Sequence, residues 1–387
     1  MIRDLTDDEA RRALVLKWGT VDADVIPAWV AEMDYALAPP VMAALQEAVA
    51  AGVTGYPRFE TGGGELGEAY AGWAARQFGH RVDPGQVVPV VDVTAGVRVA
   101  LDVLSEPGAM VMPGPAYSPQ LDVAQVTGRE RVDLLVDPDA ARAEIDLDRL
   151  DRAFADGART LLLTQPHNPW GRVFTRVELE RIRDVVVRHG ARVISDEIHA
   201  PLVLAGAEHV PYLSIEGTAD HAVAVVAASK AFNTAGLRCA QIVSNDPATH
   251  RRLTDVPMVR NDSWSPLGVV AAVAAYTEGD AWLDALRARL SAQRDLLAHL
   301  LAEHLPEARM RRLEATYLAW IDLRAYGHDD PAAVALERGR VQLAAGHDYQ
   351  PGLTGHVRLN IATSPERLTA IVHRLATALM PGTTGNS

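Results

Sequence analysis

Lys230 stands in the string Ser229-Lys230-Ala231-Phe232-Asn233-Thr234-Ala235-Gly236-Leu237-Arg238, directly after the apolar run 222–228. A lysine at the end of a buried strand, with an arginine eight residues on, suits a covalently held aldehyde cofactor and its phosphate anchor. The amine condenses with an aldehyde only when neutral, and partial burial beside other cations favours that state. Asp196 ends the apolar run 191–195 in Ser195-Asp196-Glu197-Ile198-His199. A carboxylate there can pair with a protonated ring nitrogen and keep a heteroaromatic cofactor an effective electron sink. Glu197 projects elsewhere and reads as structural, and the spacing of Asp196, Glu197 and His199 matches no closed metal-ligand set, so no metal is expected.

Asn168 lies in Gln165-Pro166-His167-Asn168-Pro169-Trp170-Gly171, where two prolines restrict the backbone that presents its amide to a phenolic oxygen. For the phosphate, Val93-Thr94-Ala95-Gly96-Val97-Arg98 leads into a helix whose amino end suits an anion. Gly96, Val97 and Arg98 are expected to donate through their backbones, and Arg238 to add a fixed, two-pronged cation. Arg358, in Arg358-Leu359-Asn360, is placed on a late strand where it can grip an α-carboxylate. A strand arginine is more often solvated or ion-paired; the string around it favours recognition. The glycine-rich string Thr61-Gly62-Gly63-Gly64 reads as a turn, since no strand leads into it and no Gly-Lys-Ser/Thr follows.

These residues need a scaffold that brings strand ends together. Seven short apolar runs, 87–91, 109–112, 132–136, 160–164, 192–195, 222–227 and 240–244, alternate with helical patterns such as 39–51 and 65–78. Such alternation predicts an α/β fold with a mostly parallel seven-stranded sheet between helices, and ligands of open sheets gather at the carboxyl ends of strands. Helical patterns over 268–276 and 280–304 precede strand-like runs at 317–323, 341–345 and 357–361 and a closing helix near 365–380. We therefore expect a large cofactor-binding domain over 46–280, a smaller α+β domain over 281–387, and an N-terminal arm, 1–45, that contributes to the small domain.

With 387 residues and a formal charge of −13, the chain can bury a large core but offers no basic face for nucleic acid or an anionic membrane. A single cysteine, Cys239, excludes an internal disulfide and points to a reducing compartment; the acidic first residues are no secretory signal and 268–276 is too short to span a bilayer. A cytoplasmic enzyme is expected.

The four ordered motifs resemble those of the fold type I pyridoxal-phosphate enzymes, and Pro27-Ala28-Trp29-Val30-Ala31-Glu32-Met33-Asp34, Pro166-His167-Asn168-Pro169 and Asp196-Glu197-Ile198-His199 resemble the MalY/PatB-type cystathionine β-lyase branch. The resemblance runs from about residue 26 to 362. It implies pyridoxal 5'-phosphate bound by Lys230, Asp196, Asn168, Ser229, His199 and Arg238, with Tyr117 of Gly114-Pro115-Ala116-Tyr117 stacked on the ring. His199 stands where many aminotransferases carry tyrosine, and either touches the cofactor or fills that space. Tyr56, in Gly55-Tyr56-Pro57, is similar to a segment that completes the neighbouring subunit's phosphate site, which implies a homodimer. Trp29 and Ala31 become walls of the substrate entrance. Two departures stand out. Ala227 replaces a serine that commonly contacts the phosphate, and Gln120 replaces an aromatic three residues after Tyr117, implying a reshaped substrate pocket.

The implied reaction starts with removal of the substrate α-proton by Lys230, with Tyr117 and Asp196 supporting the ring. With a thiolate leaving group on the β-carbon, elimination gives a thiol, pyruvate and ammonia. Cystathionine and other cysteine S-conjugates, including those of specialised metabolism, are the implied substrates. An aminotransferase is the alternative, since the same carbanion can be protonated on the cofactor. A non-catalytic protein-binding regulator fits the intact Lys230, Asp196 and Arg238 set less well.

Overall fold

The computed structural model describes residues 2–58 and 63–380. Thr61 and Gly62 of the expected turn, and the tail 381–387, lie outside the described residues; Gly64 already opens the helix Gly64–Phe78. The seven expected strands form one sheet: β1 (Val87–Val90), β2 (Met110–Gly114), β3 (Arg131–Leu135), β4 (Thr160–Thr164), β5 (Arg192–Asp196), β6 (Ala222–Val226) and β7 (Ala240–Val243), in the order β1-β7-β6-β5-β4-β2-β3. Its interior strands are buried on both faces, which explains their unbroken apolar runs, and β7 alone runs antiparallel to its neighbours.

Helices cover both faces. The helix Val93–Leu104 lies so close to the sheet that a Cβ on Gly96 would stand 2.7 Å from Val225 Cγ1 and 3.1 Å from Val90 Cγ2. Gly96 is therefore a packing glycine. The helix Pro266–Glu278 packs against Pro39–Ala50 and Gly64–Phe78, whereas the long helix Asp280–His304 packs against Pro365–Leu379. A second, antiparallel sheet comprises β8 (Arg309–Met310), β9 (Leu318–Asp322), β10 (Ala344–Ala345) and β11 (His356–Asn360), in the order β10-β11-β9-β8. Among the described residues no helix is long and apolar enough to cross a membrane.

The first residues of the chain are sewn onto its last ones. Ile26–Pro27 pairs in parallel with Val341–Gln342, and the Asp34 amide donates to the Ala362 carbonyl at 2.8 Å. Beneath this seam Lys17 and Asp34 form an ion pair at 2.8 Å with both side chains 1% exposed. Trp18 Nε1 donates to the same Asp34 oxygen at 2.7 Å, Arg367 approaches the other at 3.4 Å, and the Glu32 carbonyl takes a further Lys17 proton at 3.0 Å. Removing one partner of a sealed pair leaves the other charge uncompensated. Lys17→Met is expected to cost about 3 kcal/mol, toward the low end because Trp18 and Arg367 remain. Urea unfolding measures it; a loss well below about 1 kcal/mol would show that the seam does not rely on this pair.

Candidate active site

Four neighbouring parallel strands deliver their carboxyl ends to one edge. β6 leads to Ser229 and Lys230, β5 ends on Asp196, β4 ends on Thr164 and leads to Asn168, and β2 leads to Tyr117. Because β7 runs the other way, its amino end brings Arg238 and Cys239 to the same edge, and β1, parallel again, brings Asp92 and the helix start at Val93. The result is a cavity of about 360 Å³ lined by Lys230, Asp196, Asn168, Tyr117, His199, Ser229, Arg238 and Ala31, with Thr94 and Gln120. Asp92, Val93 and Thr164 line it too, and these, with Thr94, are not among the site residues expected from the sequence, whereas the expected Arg358 and Trp29 are not among its lining residues.

Lys230 Nζ donates to the Ala31 carbonyl at 3.2 Å. Burial, and next the cation of Arg358, push its pKa down to about 8, so a useful fraction of the amine is neutral near pH 7 to 8. The chain has two lysines: Lys230 lines this cavity, and Lys17 is sealed in its ion pair with Asp34. Asp196 is buried, and burial pushes its carboxyl up to about 6 against the hydrogen bonds from the Ile198 amide (3.1 Å) and Gln120 Nε2 (2.5 Å). Above that pH it is an anion facing the cavity. His199 is buried with Nδ1 unpartnered, and desolvation, with Lys230 and Arg358 nearby, lowers its pKa to about 3, so the ring is neutral. Burial also raises the Tyr117 hydroxyl pKa. Glu197 turns away, as expected: burial pushes its carboxyl up, but His209, the Tyr212 amide and Ser195 Oγ more than offset this and hold it below the usual range.

Arg358 projects from β11 into the same region. Its Nη1 reaches Asn168 Oδ1 at 3.3 Å, its Nη2 donates to the Trp29 carbonyl at 2.7 Å, its guanidinium lies 4.9 Å from the Tyr349 ring centre, and Nε has no partner. The segment 29–34 thus takes part chiefly through its main chain. The Ala31 carbonyl accepts from both Lys230 and Tyr317 (2.9 Å), Asn360 Nδ2 donates to the Val30 and Glu32 carbonyls, and Asn233, in the left-handed region at φ 57°, exchanges two hydrogen bonds with Met33. Side-chain types carry no signal for such contacts, so Tyr317 and Asn233 went unpredicted as supports.

The anion site needs correction. Gly96, Val97 and Arg98 do not present free amides: the helix begins at Val93 behind the N-cap Asp92, the Gly96 amide already donates to the Asp92 carbonyl at 2.9 Å, Val97 is in the core and Arg98 points to solvent. The amides ahead of the helical ladder belong to Val93 and Thr94, which line the cavity. The glycine marked close packing, and the helix starts a turn earlier than it suggested. Arg238 stands opposite, paired with Asp92 at 2.6 Å. Ala227 is packed in the core behind the cavity. Gln120 is fully buried and turned onto Asp196, so its effect falls on the carboxylate rather than on the cavity's shape alone. Tyr56, 93% exposed, lines a different cavity with Val53, Trp264 and Val269.

This donor set fits a phosphorylated pyridine aldehyde: an amine and a carboxylate in one cavity, a buried neutral imidazole in its wall, and two helix-end amides beside an arginine. The sequence model of the aminotransferase class I and II family matches residues 25–375. The chain belongs to that family. It is 36% identical to cystathionine beta-lyase of Corynebacterium glutamicum, over 96% of this chain and 98% of that one. It is 33% identical to cystathionine beta-lyase PatB of Bacillus subtilis, over 92% and 93% of the two chains. Among solved structures, cystalysin from Treponema denticola, which contains pyridoxal 5'-phosphate, superposes with a TM-score of 0.90 at 26% identity, covering 98% of this chain and 99% of that one. The architecture is the expected fold type I arrangement.

Lys230 should be the side-chain amine that titrates. Trinitrobenzenesulfonate labelling of cofactor-free protein, located by peptide mapping, is expected to rise with a midpoint near pH 8 at Lys230 and to leave Lys17 unmodified. Arg358→Leu removes a neighbouring cation and should move that midpoint upward; an unchanged midpoint would disconnect the two groups.

Proposed function

We propose that this protein is a pyridoxal-phosphate-dependent carbon–sulfur β-lyase that cleaves cystathionine or a related cysteine S-conjugate to a thiol, pyruvate and ammonia. The observation that carries the reading is Lys230 lining one cavity with buried Asp196. The near full-length similarity to cystathionine beta-lyases supports the choice of reaction.

Bound in this cavity, pyridoxal phosphate supplies a conjugated electron sink for charge that develops at the substrate α-carbon. The chain's residues do the rest. Asp196 would hold a proton at the ring nitrogen, Tyr117 would pack on the ring, and Asn168 would donate its amide to the phenolic oxygen. Arg238, Ser229 and the amides of Val93 and Thr94 would hold the phosphate. The neutral His199 fills the wall beside Lys230 and offers one hydrogen bond. Arg358, already fixed by the Trp29 carbonyl, grips the substrate carboxylate, with Trp29 and Ala31 walling the approach. Lys230 Nζ, when neutral, takes the α-proton as general base. With the thiolate lost from the β-carbon, Lys230 would displace the product as a free enamine, which hydrolyses in water to pyruvate and ammonia.

Two finer features belong to the same reading. A homodimer in which Tyr56 reaches the partner's phosphate site gives its exposed ring a function. A cytoplasmic location agrees with one buried thiol, whose pKa burial raises to about 12.

Purified, cofactor-loaded protein incubated with cystathionine should release thiol and pyruvate in equal amounts without an added keto acid. Lys230→Ala is expected to lower both by at least about 1000-fold, as for loss of a general base that also anchors the cofactor. Accumulation of pyridoxamine phosphate with no thiol would instead identify an aminotransferase.

A further inference from the structure

Thr164 and Asp196 are register partners on the neighbouring strands β4 and β5, so their side chains emerge side by side from one face of the sheet. Gln120, from the short helix Ser118–Leu121, bridges them. It is 1% exposed, its Nε2 donates to Asp196 Oδ2 at 2.5 Å and its Oε1 accepts from Thr164 Oγ1 at 3.0 Å. The chemistry fixes the direction of this chain: an ionised carboxylate only accepts, so the amide NH₂ must face Asp196, its carbonyl must face Thr164, and the threonine hydroxyl supplies the proton that holds the amide in that sense. The Ile198 amide holds the other oxygen, Oδ1, at 3.1 Å. Both oxygens are thereby pinned from the protein side of a carboxylate that lines the cavity.

We propose that Gln120 is a positioning residue for the reaction: oriented by Thr164, it fixes the rotation of the Asp196 carboxylate and keeps it ionised against its burial. This rests on the role given to Asp196 above and adds the device that makes the role possible. Among the described residues, Gln120 is the only side chain that donates a hydrogen bond to Asp196. The titratable groups around Asp196 are Lys230 from the loop after β6, Tyr117 from the segment after β2, and Glu197 and His199 from the continuation of β5. Of these only Lys230 favours the carboxylate; Glu197 opposes it. The carboxyl already stands at about 6, so losing a donor would carry it toward neutrality, where a protonated Asp196 no longer holds a positive ring.

The test uses holoenzyme carrying pyridoxal phosphate labelled with ¹⁵N in the ring. In the wild type the ring-nitrogen resonance should report the protonated form at pH 7.5. Gln120→Met keeps the length and loses the donor; it should shift that resonance toward the unprotonated position, raise the acid limb of the pH profile and lower kcat roughly 10- to 100-fold, the range for a lost hydrogen bond to a charged group, with KM little changed. Thr164→Val should act in the same direction more weakly, and Gln120→His, which restores an N–H donor, should recover part of the signal. Gln120→Met that is merely less stable, with ring protonation and pH profile unmoved, overturns the proposal. A wild-type ring nitrogen that is unprotonated overturns the role of Asp196 and this inference with it, whereas normal ring protonation without any thiol release would reject only the lyase reaction.

Discussion

Drawing a carboxyl and an amine out of bulk water at one strand edge is the constraint on which this structure depends. Asp196 sits at the end of a strand buried on both faces, and carrying its carboxyl from the ordinary range to about 6 corresponds to about 3 kcal/mol held against ionisation. Lys230 meets the mirror condition: burial and the Arg358 cation make its ammonium costly and its free amine accessible. Neither group could be so displaced on a surface, because solvent would screen it. The sheet supplies the dryness and its carboxyl edge the meeting point, so a nucleophile, an acid and an amide from three strands face one cavity.

Holding that edge together falls to main chain as much as to side chains. Segment 29–34 is threaded between β11 and the loop that carries Lys230, and its carbonyls receive Arg358, Lys230, Tyr317 and Asn360. The Lys17–Asp34 pair beneath it is sealed, and the amide of Asp34 joins the chain's first residues to its last. A carboxylate-binding arginine and a reactive lysine from distant parts of the sequence thus share one rigid strip of backbone. Movement of the strip would shift both at once.

Much of this was legible in the residues. The seven strand positions follow from short apolar runs, and Lys230, Asp196 and Asn168 could be located because each closely follows one of them. What misled was a local signal with two physical meanings. Gly96 suits either an exposed amide at an anion site or a helix pressed against a sheet, and only the position of Val225 and Val90 decides for the second. Gln120 shows the same ambiguity: its type announces a polar replacement in the pocket, but not that it would turn inward to the carboxylate.

By itself, then, the sequence determined the inventory of reactive groups and the strand ends that carry them, because hydrophobic periodicity and chain order are local properties. Tertiary structure decided which of those groups touch. The Gln120 donor and the Asp196 acceptor are 76 residues apart, and Lys230 is 199 residues from the carbonyl that steadies it. Those pairings arise from strand register and from the reversal of β7, and a hydrogen bond of about 3 Å is set by that geometry rather than by residue type.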